Sequence, residues 1–124
     1  MDATVIRHHD VPVDNTSWGS LQWLANGDLA PGAGMTVGRV TFKPGESNPA
    51  HAHPNCDEVL FVVQGTLEHS LPQGGTARLE AGDCIVLPRG RAHTAKNVGQ
   101  DEAVVLVAFN AGDRRTESTA EGMA

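Results

Sequence analysis

The chain has no tyrosine, and its aromatic set is two tryptophans and three phenylalanines. Any mechanism that relies on a pocket tyrosine as general base is therefore excluded. Lysine is almost as scarce, with only Lys43, which leads into the turn at Pro44, and Lys96, placed beside Asn97 and expected to be exposed. Positive charge is short overall: nine basic residues face fifteen acidic ones, for a formal net charge of −6. Phosphate backbones need a basic stripe, so this balance argues against nucleic acid as a partner. Arg114-Arg115 is the one adjacent basic pair. No run approaches the ~18 apolar residues that span a bilayer, so no membrane partner is expected. The first residues, MDATVIRHHD, carry no basic-then-apolar leader, and the expected location is cytoplasmic. The two cysteines, Cys56 and Cys84, are then expected to be reduced, and their spacing fits no zinc pattern.

What the chain has in quantity is turn chemistry. Fourteen glycines and seven prolines in 124 residues favour short strands over long helices. The length suits one domain. Residues 1–16 read as a lead-in with a β-prone piece at Ala3–Ile6, a segment expected to add a strand to a sheet of its own subunit or, by exchange, of a partner. His8 and His9 in that stretch are expected to be solvated. Residues 17–112 read as the folded domain, and the polar stretch 113–124 as a disordered tail. Met35–Lys43 alternates as a strand, with a bulge expected near Gly38. Glu58–Gln64 is the strongest strand, and Gly65 followed by Thr66–Leu71 reads as a hairpin return. Ala103–Phe109 is continuously apolar, as in a strand buried on both faces. Eight to ten such strands predict an all-β sandwich or barrel.

The rest of the chain is organised around Gly45–Gly65, GESNPAHAHPNCDEVLFVVQG. His51 and His53 are two residues apart, so in a strand both imidazoles point to one face. Glu58 lies at an odd offset from them, but the turn at Pro54-Asn55 lets the next strand re-aim. Two imidazoles and a carboxylate can thus converge, a donor set suited to a divalent transition metal. Alternation from Glu58 puts Leu60, Val62 and Gln64 on the same side and gives a mostly apolar pocket. Arg39, Gln64, His69 and Trp23 are the candidate pocket residues; a surface position for Arg39, a surface or edge position for His69 and core packing for Trp23 are the alternatives.

Two blocks of the chain resemble the paired motifs of the cupin superfamily. Gly45, His51, His53, Glu58 and Gly65 meet the pattern G-x5-H-x-H-x4-E-x6-G, and Gly82, Pro88, Gly90, His93 and Asn97 meet G-x5-P-x-G-x2-H-x3-N, with every interval kept. The resemblance implies a small single-domain jelly-roll barrel, also called a double-stranded β-helix. It implies one divalent metal (Fe, Mn, Zn, Ni or Co) held by His51, His53, Glu58 and His93, and a homodimer. Four protein ligands on an octahedral ion leave two positions, and the resemblance implies that these lie next to each other, open to a small-molecule substrate with two adjacent oxygens. The leading expectation is an O2-dependent dioxygenase of a diketone, hydroxyketone or catechol-like compound. Non-redox isomerisation, cyclisation, elimination or decarboxylation is the alternative, and a non-catalytic ligand- or metal-binding module the third reading. Glu58, if it loosens from the metal, is the candidate catalytic acid–base residue, with His69 behind it.

Overall fold

The structure, a computed structural model, describes residues 1–119. In chain order the strands are β1 (Asp14–Asn15), β2 (Gly19–Ala25), β3 (Thr36–Phe42), β4 (His51–Ala52), β5 (Glu58–Gln64) and β6 (Thr66–Ser70). They continue as β7 (Thr76–Glu80), β8 (Cys84–Leu87), β9 (Ala95–Asn97), β10 (Ala103–Phe109) and β11 (Glu117–Ser118). A six-stranded sheet runs β1-β2-β3-β10-β5-β8, a three-stranded sheet runs β7-β6-β9, and β11 pairs with β4. Every pairing is antiparallel. The only helical piece among the described residues is one 3-10 turn at His8–Asp10, where both histidines are exposed. The fold is therefore all-β and antiparallel, as expected.

Alternation fixes which side chains meet inside. On β5, Glu58, Leu60 and Val62 are buried while Val59 and Phe61 face outward. β10 sits between β3 and β5 and contributes Val105, Val107 and Phe109 to the core beside Phe42, Val40 and Leu67. Each such buried aliphatic or aromatic side chain contributes on the order of 1.5–3 kcal/mol. The outward face of β5, β8 and β10 keeps Val59, Phe61, Val63, Val86 and Leu106 exposed.

Several local expectations are corrected. Ala3–Ile6 forms no strand; the N-terminal strand is Asp14–Asn15, paired with β2. The irregularity expected at Gly38 lies on the facing strand, since Trp23 pairs with Gly38 and Ala25 with Val37, leaving Leu24 as the extra residue. Gly65 does not close a hairpin. β5 belongs to the six-stranded sheet and β6 to the three-stranded one. The chain crosses between sheets at Gly65, whose φ is 94° and whose Cβ, if present, would lie 2.9 Å from Ala103. From residue 113 the chain is placed as well: Glu117 and Ser118 pair with Ala52 and His51, where a disordered tail was expected. The remainder of that expectation, residues 120–124, lies outside the described residues.

Gly38 has a packing role. A Cβ there would come within 2.5 Å of the Trp23 ring, so only glycine lets the indole lie against β3. Gly38→Ala is expected to destabilise the fold by about 1–3 kcal/mol through overpacking. Urea unfolding followed by tryptophan fluorescence checks this, and an unchanged midpoint would contradict the packing argument.

Candidate metal centre

The site is built by two short backbone contacts. His51 N–H donates to His93 O at 3.1 Å, and His93 N–H donates to His51 O at 2.8 Å. The two residues are thus a directly opposed antiparallel pair, and their side chains share a face. His53, two residues on, joins that face, with its carbonyl taking the Gly90 N–H at 2.8 Å. Glu58 opens β5 between Leu87 and Phe109 and points inward. One ligand atom from each of His51, His53, Glu58 and His93 then falls within 4.8 Å of the others. His53, Glu58 and His93 are buried, and His51 is half-buried.

The proton inventory of the rings decides what the cluster can hold. Nδ1 of His51 lies 2.8 Å from Pro49 O, that of His53 2.9 Å from Arg115 O, and that of His93 3.2 Å from Arg91 O. A carbonyl only accepts, so Nδ1 carries the proton in each ring. A neutral imidazole has no second proton, and Nε2 is left with a lone pair. Glu58 Oε1 lies 3.2 Å from His53 Nε2 and 3.1 Å from His93 Nε2, and none of these three buried atoms has a hydrogen-bond partner among the described residues. Lone pairs facing a carboxylate in a buried site repel unless positive charge lies among them. Added protons on the imidazoles could supply that charge, and so could a metal ion with all three rings neutral. Burial pushes the His51 pKa down to about 4, aided by His93 and His53 and opposed by the Pro49 carbonyl, which disfavours the protonated alternative there. Burial alone would raise Glu58; doubly protonated His53 and His93 rings would bring it down to about 2, and with neutral rings that positive charge must come from a bound cation. The residues fit one divalent cation.

Three members of the cluster, His51, His53 and Glu58, line a cavity of about 320 Å³. Most of the wall is apolar: Trp18, Leu21, Trp23, Val40, Phe42, Leu60, Val105, Val107 and Phe109 line it. Of the four pocket residues expected from sequence, Trp23 alone is on this wall. Arg39 lies on the outward face of β3, opposite in phase to Val40 and Phe42. Gln64 is exposed and donates to Glu102 O, because β5 gains an extra residue at Val63 and the alternation from Glu58 slips by one. His69 is buried, not at the surface, and does not line the cavity; its ring lies 5.7 Å from that of His93, and its Nδ1 donates to Ser70 O. Asn48, Pro49, Arg114, Thr116 and Ser118 were not anticipated as wall residues. The last three recur at every second position, a strand signature legible beneath a polar composition.

Comparison with known proteins follows the geometry. Residues 38–109 match the Cupin domain family. Germin-like protein 5-1 of Oryza sativa subsp. japonica is 38% identical over 113 residues, covering 86% of this chain and 51% of the relative. The chain thus spans about half the length of the curated relatives it matches. A recombinant oxalate oxidase solved in complex with glycolate superposes with a TM-score of 0.75 at 32% identity, covering 86% of this chain and 59% of that one. An oxalate decarboxylase of Lactobacillus farciminis, solved as a formate complex, gives 0.81 at 23% identity, covering 89% of this chain and 34% of that one, a likeness of fold alone.

Chelator-stripped protein is expected to take up one divalent ion per chain. A hundredfold excess of metal over its Kd should stabilise the fold by about 2.7 kcal/mol. In His53→Ala both the bound metal, read by elemental analysis, and the thermal gain should vanish. Stoichiometric metal in that variant would mean the ligands are misassigned.

Proposed function

The chain belongs to the cupin family, and from that premise we propose that it is a mononuclear metal-dependent enzyme, using O2, that acts on a small molecule with two oxygens on adjacent carbons. The observation that carries this reading is the convergence of three Nε2 lone pairs and one carboxylate oxygen, with His51, His53 and Glu58 lining a cavity able to admit a small molecule. Oxalate and glycolate, the molecules named with the oxalate oxidase relative, both present oxygens on adjacent carbons, which supports a chelating substrate. A bound divalent ion supplies Lewis acidity and, if it is redox-active, a site for O2 chemistry.

The chain's own residues do the rest. His51, His53 and His93 are oriented by backbone carbonyls, so each presents the same nitrogen without rearrangement. Glu58 supplies the one carboxylate, and so the one negative charge, among the four ligands. The aromatic and aliphatic wall excludes water and lowers the local dielectric, which strengthens each remaining polar contact. No tyrosine is available as an acid or base, and Glu58 is the only carboxylate on the wall among the described residues. Few side-chain proton donors and acceptors suit chemistry performed by the metal and O2.

Reconstitution with Fe(II), Mn(II) and Zn(II) tests the proposal. O2 uptake against a panel of diketones, hydroxyketones, catechols and short hydroxy acids is expected with Fe or Mn and absent with Zn. Turnover under nitrogen without O2 uptake in air would replace the oxygenase reading with the non-redox one. Binding without turnover under any metal would leave a ligand-binding module.

A further inference from the structure

Arg114 lines the cavity wall and forms no ion pair among the described residues. Its guanidinium carbon sits 4.1 Å from the centroid of the Trp23 ring and 5.2 Å from that of Phe109. Phe109 in turn lies 4.8 Å from the His53 ring, which ties the guanidinium to the edge of the metal cluster. Its side chain donates one hydrogen bond, to Thr116 Oγ1, two residues along its own segment. Stacking on aromatic rings uses the flat face of a guanidinium and leaves its in-plane N–H donors available. Burial works against the charge, pulling the pKa below the usual arginine value, with Glu58 and Cys56 opposing that pull. A half-buried cation that no carboxylate among the described residues touches is a site prepared for an anion.

The charge balance of the cavity agrees. The three imidazoles are neutral in the metal-holding state. Glu58 cancels one of the two charges of a divalent cation, and Arg114 adds one, so the loaded cavity keeps two positive charges. A dianion neutralises it, whereas a neutral diketone does not.

We infer that Arg114 anchors a carboxylate distinct from the substrate's metal-chelating oxygens, so that the substrate class is a small hydroxy- or oxo-dicarboxylate. This rests on the proposed chelation of substrate by the metal and names the class of molecule that is chelated. Trp23 supports the anchor from behind, and Gly38 permits Trp23 to sit there. Thr116 holds the guanidinium from the side.

The test uses the metal-loaded protein and matched probes: the hydroxy diacids malate and 2-hydroxyglutarate against 2-hydroxybutyrate, which lacks the distal carboxylate. Affinities are read by calorimetry, with tryptophan fluorescence as a second readout, since both tryptophans line the cavity. At least one diacid should bind about tenfold or more tighter than the monoacid, the usual scale of a charge-assisted contact. Arg114→Met, which keeps the stacking stem and loses the charge, should erase that advantage by weakening the diacids far more than the monoacid, with metal content unchanged. Arg114→Lys should keep part of it, and would carry the test if the methionine variant failed to fold. Equal affinities in the wild type, or an advantage that survives Arg114→Met, would overturn the inference while the monoacid still bound and the chelation reading stood. If the metal loads and no probe binds, both fall together.

Discussion

The repulsion among four converging electron-pair donors, three of them buried, is the constraint on which the rest of the structure depends. His51, His53, Glu58 and His93 are brought together with no proton available to separate the neutral rings from the carboxylate. An apolar core gains nothing from such an arrangement, since burying unpaired polar atoms costs about 1–3 kcal/mol each. The arrangement is stable when a cation takes the common point. The fold supports that state by spending three backbone carbonyls, those of Pro49, Arg91 and Arg115, on the far side of the three rings. Each carbonyl fixes a tautomer and an angle. The reciprocal His51–His93 backbone pair sets the distance between the segments that carry them.

The ligand set was legible in the sequence because its geometry is local. His51 and His53 share a face by strand period alone, and Glu58 follows a turn and opens a strand that alternates cleanly through Val62. His93 was legible only through the second motif, because its pairing with His51 joins segments far apart in the chain. The pocket wall was harder to read. Whether Arg39 points in depends on the phase of β3, and its neighbours Val40 and Phe42 already indicated that it points out if they point in. Gln64 was displaced by a single inserted residue, a feature set by pairing with β10 and invisible in an alternating string. His69 was misplaced because the chain changes sheets at Gly65, turning an apparent hairpin arm into an inner strand of the second sheet.

The C-terminal segment shows the limit of composition as a guide. Asp113, Arg114, Arg115, Thr116, Glu117 and Ser118 have the polarity of a solvated tail. Their order comes from elsewhere. Asn55 donates to Asp113 O and accepts from Arg115 N–H, Arg115 O receives His53 Nδ1–H, and Glu117–Ser118 pairs with β4. These are contacts to the loop and strand beside the ligands rather than to the hydrophobic core, so no apolar periodicity announces them. A period of two in wall residues was present, but with polar side chains it reads as noise unless the facing cavity is known.

That segment also joins two properties of the site in adjacent residues. Arg115 fixes a ligand through its carbonyl, and Arg114 presents a guanidinium to the cavity through its side chain. In an extended segment consecutive residues face opposite ways, so one short stretch can brace the metal ligand with its backbone and furnish charge with its next side chain. The two functions are therefore mechanically coupled. A shift of this stretch that weakens the hold on His53 also withdraws the cation from Trp23 and Phe109. The Asn55 side chain, one residue beyond Pro54 and on the loop between β4 and β5, is what resists such a shift. The turn that re-aims the chain from His53 toward Glu58 thereby also anchors the segment that closes the opposite wall.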